Sequence, residues 1–295
     1  MSSPTLAATN LFNLAGKTAL VTGGGTGLGL TAALALASNG ATVYISGRRK
    51  EKLDEAVSEY SSQIGAGKLV AIQADVSSKE DLAKIASTIK KDVGKLHILV
   101  NNAGVEGPMT KFEPSSVATL SAEELSEAHL KSESFDAWDT LFRINTASVF
   151  FSTMTFLPLL AASHDDTWKS AVINITSISG IVKLSQFHYA YNASKAAANH
   201  LTVMLAHELR FRSNLGIRVN AIAPGLFSSE MTSGGKSQKG KTSSDDVKGH
   251  ENPAGRVGSE QEYAQLVLLL AGNGFMTGQV VAVDGGFVTA VAASR

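Results

Sequence analysis

The segment Tyr191-Asn192-Ala193-Ser194-Lys195 sets a phenol and an ammonium four residues apart, one turn along the same face of a helix. A tyrosine with a free-solution pKa of ~10 is a poor proton donor or acceptor near neutrality, and a cation held beside it stabilises the phenolate and lowers that value. The pair predicts general acid-base chemistry at Tyr191, tuned by Lys195. An exposed helical ion-dipole pair has the same spacing, so the motif needs support from elsewhere in the chain.

That support lies upstream. Thr22-Gly23-Gly24-Gly25-Thr26-Gly27-Leu28-Gly29 follows the apolar run Ala19-Leu20-Val21 and precedes the apolar stretch 31–37, so a glycine-rich turn joins a strand to a helix. Glycine lets the backbone approach a phosphate without a clashing Cβ, and the N–H groups at the positive end of the helix face the anion. The turn is a candidate pyrophosphate cradle built from Gly23, Thr26, Gly27, Leu28 and Gly29. Its spacing is Gly-x3-Gly-x-Gly, not the Gly-x-Gly-x-x-Gly of many dinucleotide sites. A tight strand-helix turn without a ligand is the plain alternative.

Elements that must position these groups are read from periodicity. Strands are expected near 18–22, 41–46, 69–73, 96–100, 171–176, 217–222 and 279–283, with helical patterns between them. This alternation predicts an α/β fold, a doubly wound parallel sheet of about seven strands with helices on both faces. Right-handed crossovers then gather the loops at the C-terminal strand ends along one edge. No central linker divides the 295 residues, so residues 15–295 read as one domain after an N-terminal extension, 1–14.

Composition excludes several functions. With 26 basic and 26 acidic residues the formal charge is zero, which argues against nucleic acid or an anionic membrane as the main partner. The chain has no cysteine, so disulfides, thiolate catalysis and cysteine-metal sites are absent. No His-Glu-x-x-His motif or other histidine ligand spacing occurs. Residues 18–47 and 144–163 carry no charge, but glycines break the first and Asn145 and Pro158 interrupt the second, which reads as a buried helix, not a membrane span. The first 13 residues lack a basic n-region followed by an apolar core, and a cytoplasmic location is expected.

In chain order the sequence also carries Asp75-Val76, Asn101-Asn102-Ala103-Gly104, Asn145, Asn174-Ile175-Thr176-Ser177, Asn220-Ala221-Ile222-Ala223-Pro224-Gly225 and Asp284-Gly285-Gly286. With the two motifs above, these residues resemble the short-chain dehydrogenase/reductases over nearly the whole chain. The resemblance implies that Asp75 and Val76 contact adenine, that Asn102, Ala103 and Gly104 line the adenosine ribose, and that Asn101 supports the sheet. It places Pro224, Gly225 and Phe227 beside a nicotinamide, has Lys195 hold the nicotinamide ribose, and has Asn145 bind a water relaying protons to that lysine. Ser177 would orient the carbonyl oxygen, with Ser179 as a rival because one residue is inserted before Tyr191. Tyr189 is a second phenol but has no lysine four residues on. His188 is placed either in the substrate pocket or on the surface.

Cofactor choice is read at the end of the second strand. Gly47 stands where an NAD enzyme carries an acid for the ribose hydroxyl, and Arg48 follows, with Arg49 and Lys50 behind it. Recognition of a 2′-phosphate by Arg48, hence NADP(H), is the favoured reading; a solvated helix start is the other. The branch most resembled is the NADPH-dependent 3-oxoacyl-carrier-protein reductases and related ketoreductases, acting on a small-molecule carbonyl. Oxidation of an alcohol and non-catalytic dinucleotide binding are the remaining readings. Relatives commonly form homodimers or homotetramers, which the apolar run from Val149 to Leu160 suits. Two variable segments, 105–140 and 226–252, are expected to shape the substrate site: the first through a short added helix starting at Ser121-Ala122-Glu123-Glu124, the second as a lid, or else both as inert insertions.

Overall fold

The computed structural model describes residues 6–110, 112, 117–165, 168–227 and 252–291. Short helix α1 (Ala8–Leu11) precedes β1 (Thr18–Thr22), α2 (Gly27–Ser38), β2 (Thr42–Gly47), α3 (Lys50–Tyr60), β3 (Lys68–Gln73), α4 (Lys79–Asp92) and β4 (Ile98–Asn101). Then come α5 (Ala122–Ser132), α6 (Phe135–Phe142), α7 (Ser148–Ala161), β5 (Ala171–Ile175), α8 (Tyr189–His207), β6 (Arg218–Pro224), α9 (Glu260–Gly272), β7 (Val280–Val283) and α10 (Phe287–Ala290). All seven strands are parallel, in the order β3-β2-β1-β4-β5-β6-β7. The strand positions expected from periodicity agree to within two residues at each end.

Strands β1, β4, β5 and β6 are buried along their whole length, which is why they read as apolar runs without alternation. Successive side chains serve opposite faces. Val21, Val43, Ile173 and Ile222 pack with Leu36, Leu53 and Val267 from α2, α3 and α9. Leu20, Tyr44, Leu99 and Val172 pack with Leu82, Phe156 and Leu205 from α4, α7 and α8. Chain order reverses between β1 and β4, and a ligand crevice forms at such a switch point.

Polar side chains cross this core in two places. Asn101 Nδ2 donates to Asn174 Oδ1 (2.9 Å) and Thr153 Oγ1 (3.2 Å), and Asn174 Nδ2 donates to Thr202 Oγ1 (2.9 Å), tying β4 and β5 to α7 and α8. Asn101 therefore supports the sheet, as expected. Arg218, 1 % exposed, donates to the carbonyls of Leu270 (2.7 Å), Ala271 (2.6 Å) and Lys169 (3.4 Å). Two of these belong to the last turn of α9, where a cation suits the helix dipole. Burial pushes its guanidinium down to about 10.

The added helix is present as α5, with the predicted capping box between Ser121 and Glu124. Helices α6 and α7 run on through a π turn at Arg143–Ala147, giving 27 helical residues long and apolar enough to cross a membrane. Val149, Phe156, Leu159 and Leu160 of this run lie buried against the sheet, whereas Phe150 and Phe151 stay exposed, so the helix is buried on one side only. The N-terminal extension docks on the domain: Leu14 is buried, and its N–H donates to Asn39 O at 2.8 Å.

Candidate active site

A cleft of about 360 Å³ opens at the C-terminal ends of the strands, within the usual range for small-ligand sites. It gathers Gly23, Thr26, Gly27, Leu28, Gly29, Arg48, Asp75, Val76, Asn102, Ala103, Gly104, Ser177, Tyr191, Lys195, Pro224, Gly225 and Phe227. Of the residues given a favoured catalytic or cofactor role from sequence, Asn145 does not line the cleft, and neither do the rivals Ser179 and Tyr189. Lys52, Ala74, Val105 and Ile144 also line the cleft; none belongs to a motif, so no local signal marks them.

The glycine turn is a cradle that only glycine can form. Gly23 and Gly27 have φ of 65° and 53°. A Cβ on Gly29 would sit 2.1 Å from Gly23 O, so the α2 N-terminus can approach the end of β1 only at that position. Thr26 is the N-cap of α2 yet makes no side-chain cap bond to its N–H groups. A phosphate fits this arrangement of uncapped donors on a surface stripped of Cβ atoms. Asn102 braces the turn: its Nδ2 donates to Thr22 O (3.0 Å) and Gly23 O (3.1 Å), and its N–H to Thr22 Oγ1 (3.0 Å). Its amide N–H groups are thus engaged with the loop, a role the ribose expectation did not include.

Arg48 and Asp75 flank the far end of the cleft. Burial alone would raise the Asp75 carboxyl; the Ser77 N–H (2.9 Å) and hydroxyl (2.8 Å), with the Arg48 charge, outweigh it and hold the group below its usual range. Gln73 Nε2 fixes the Arg48 carbonyl at 2.9 Å, and Arg49 reaches Thr26 Oγ1 at 3.3 Å.

At the other end Lys195, 5 % exposed, donates to Ile175 O at 3.1 Å, with Nζ 5.6 Å from the centre of the Tyr191 ring. The helical spacing therefore delivers both groups to one place. Their proton affinities differ from the sequence expectation. Burial pushes Tyr191 up to about 12, with the Glu106 carboxylate adding to the rise and a hydrogen bond with Ser177 opposing it. Burial pushes Lys195 down to about 8. Helix geometry encodes proximity but not desolvation, and here desolvation dominates.

Between the two serines the structure favours Ser177. It accepts the Ser179 N–H at 3.1 Å and lines the cleft together with Tyr191, which Ser179 does not. Tyr189 is half-exposed and stacks edge-on to His129 of α5, away from the cleft. His188 is neither in the cleft nor fully on the surface; its ring meets that of Tyr191 at 6.3 Å. Asn145 sits in the π turn, 2 % exposed. Its Oδ1 accepts the Val105 N–H (2.9 Å), and its Nδ2 donates to Val105 O (2.9 Å) and Ser194 Oγ (3.1 Å). The side chain thus clamps the loop after β4 to α8. Most of the expected lid, 226–252, lies outside the described residues; Leu226 and buried Phe227 begin it, and Phe227 bridges to Gly258. Among the described residues no cluster of potential metal ligands occurs.

Residues 17–240 match the family model of short chain dehydrogenases. The chain is 38% identical over 292 residues to the short-chain dehydrogenase/reductase PhomF of Diaporthe leptostromiformis, covering 96% of this chain and 95% of that protein. It is 36% identical over 278 residues to the rhamnolipids biosynthesis 3-oxoacyl-[acyl-carrier-protein] reductase of Pseudomonas aeruginosa, covering 94% and 98%. Among solved structures it superposes on the Pseudomonas aeruginosa RhlG/NADP active-site complex with a TM-score of 0.78 at 35% identity, covering 94% and 98% of the two chains. It superposes on a 7α-hydroxysteroid dehydrogenase complexed with NADH and 7-oxo glycochenodeoxycholic acid with a TM-score of 0.76 at 27% identity, covering 96% and 98%. Fold, cleft and sequence agree, and the chain belongs to the short-chain dehydrogenase family.

Proposed function

We propose that this protein is an NADPH-dependent reductase of small-molecule carbonyls. The observation that carries the reading is the meeting of the Tyr191 phenol, Ser177 and Lys195 at one end of a cleft whose other end presents Gly47 and Arg48. A nicotinamide dinucleotide, when bound, supplies hydride to the carbonyl carbon. Tyr191, protonated at neutral pH, gives the proton to the oxygen. Ser177 hydrogen-bonds that oxygen and orients it. Lys195 sits within reach of the ribose side of the cleft and stabilises negative charge developing on the phenol. NADPH consumption against a panel of ketones, 3-oxoacyl thioesters and keto-sugars tests the reading. No turnover of any member, in either direction, would leave a non-catalytic dinucleotide-binding protein.

Cofactor preference gives a separate test. A charge-assisted contact from Arg48 to the 2′-phosphate should contribute about 1.5–3 kcal/mol, so NADPH should bind roughly ten- to a hundredfold tighter than NADH, and Arg48→Ala should erase the difference. Equal dissociation constants in the unmodified protein would refute the assignment.

Proton linkage adds a third expectation. Lys195 holds its proton up to about pH 10.5 when unfolded but only to about 8 in the fold. Between those values the unfolded chain binds more protons, so stability rises with pH. The gain from pH 8 to 10 should be at most about 3 kcal/mol and should vanish in Lys195→Met; identical pH profiles of urea stability in the two proteins would exclude it. We also propose a homodimer or homotetramer using the exposed side of α7, where Phe150 and Phe151 emerge. Light scattering that finds a monomer at micromolar concentration would refute this.

A further inference from the structure

Helix α5 buries none of its side chains, so the hydrophobic core neither holds it nor needs it. Its fixed contacts converge on the segment that leaves β4. His129 Nδ1 lies 2.9 Å from Thr110 Oγ1, which donates to Glu133 Oε1 at 3.3 Å, while Glu133 Oε2 accepts the Trp138 indole N–H at 2.8 Å. Phe112 meets the rings of His129 and Phe187 edge-on, each at 5.2 Å. Thr110 itself is 1 % exposed.

The same threonine touches the strained approach to the reacting phenol. Gln186 and Phe187 are consecutive side-chain-bearing residues with φ of 50° and 63°, a conformation that suits glycine and persists only where its surroundings impose it. The Thr110 main-chain N–H donates to Phe187 O at 3.2 Å, and the Asn192 amide donates to Leu184 O (3.0 Å) and Ser185 O (3.1 Å) from the other side. The next residue, His188, starts α8: its carbonyl accepts the Asn192 N–H at 2.9 Å, its ring contacts that of Tyr191, and its Nε2 lies 3.9 Å from Glu106 Oε1. The segment 105–110 is thus fastened at Val105 by Asn145 and at Thr110 to Phe187, and Glu106 passes beside His188 between them.

We propose that Thr110 is a positioning residue: its side chain receives the docking of α5, its N–H passes that docking to the left-handed pair, and the pair fixes the first turn of α8 from which Tyr191 projects. The inference rests on the assignment of proton donation to Tyr191. It gives the inserted helix a task beyond covering surface, because without the latch the two strained residues can relax and release the turn that aims the phenol.

Thr110→Val keeps the shape of the side chain and removes its hydroxyl. The variant should exchange the amides of Thr110, His188 and Asn192 at least tenfold faster than the unmodified protein. Exchange across β1–β6 should be unchanged. With a carbonyl that the unmodified enzyme reduces, kcat should fall at least tenfold while the dissociation constant for NADPH stays within twofold. Thr110→Ser, which retains the hydroxyl, should restore both exchange and kcat. Exchange at those three amides within twofold of normal would overturn the proposal, as would acceleration spread evenly over the sheet, since that marks a general loss of stability. If the unmodified protein reduces no carbonyl, the reductase reading fails alone; the exchange pattern and its rescue by serine still decide whether Thr110 holds the turn.

Discussion

Tyr191→Phe is expected to lower the rate of the chemical step by about 10²–10⁴-fold, the usual contribution of a positioned general acid, while NADPH binding stays near its original level. The ring is half-buried and lines the cleft beside Ser177, and phenylalanine keeps it, so the change removes the proton donor and little else. Ser177 keeps its bond from the Ser179 N–H at 3.1 Å. Single-turnover kinetics with bound NADPH separates chemistry from release. A variant retaining more than a tenth of the original rate would show that Tyr191 is not the acid, and Tyr189, half-exposed and turned toward α5, offers no replacement. On the proposed roles, in which the ammonium serves both the phenol and the nicotinamide ribose, Lys195→Ala should damage both turnover and cofactor binding.

Arg218→Ala should produce the largest loss of stability, about 3–5 kcal/mol, because it strips a partner from the buried carbonyls of Leu270 and Ala271 and from the Lys169 carbonyl, and leaves a cavity between β6 and α9. Arg218→Met refills most of that volume and leaves the carbonyls unpaired, so it should recover only part of the loss. Urea unfolding followed by far-ultraviolet circular dichroism measures both. A cost below about 1 kcal/mol for the alanine variant would mean that water replaces the guanidinium, and that the helix end is not sealed as the geometry indicates.

What could be read in advance divides along physical lines. Buried parallel strands announce themselves as apolar runs, and their ends carried the glycine, asparagine and tyrosine-lysine motifs, so the sheet and nearly every cleft residue were legible from local sequence. Helix α5 was legible for the same reason, since its capping box is a four-residue signal. Asn145 was not: its partner, Val105, lies 40 residues away, and no local pattern reveals that its amide faces a distant backbone. The proton affinity of Tyr191 was misread because spacing reports which charge is near and says nothing about how much water has been removed. Lys52, Ala74 and Ile144 reach the cleft through the packing of α3, β3 and the π turn, which is a property of the assembled sheet.

The asparagine pair within that sheet has a further consequence. Every residue of β4 and β5 is buried, so a two-residue slide of one strand along the other would still place apolar side chains on apolar faces, and burial alone discriminates weakly against it. Asn101 and Asn174 stand opposite one another in the observed alignment. The bond from the Asn101 amide to Asn174 Oδ1 forms only there, and a slide in either direction would part the two side chains and forfeit it in a dry interior. The pair therefore works as an alignment key that rejects the neighbouring strand pairings during assembly, at the cost of keeping two amides in an otherwise oily interior.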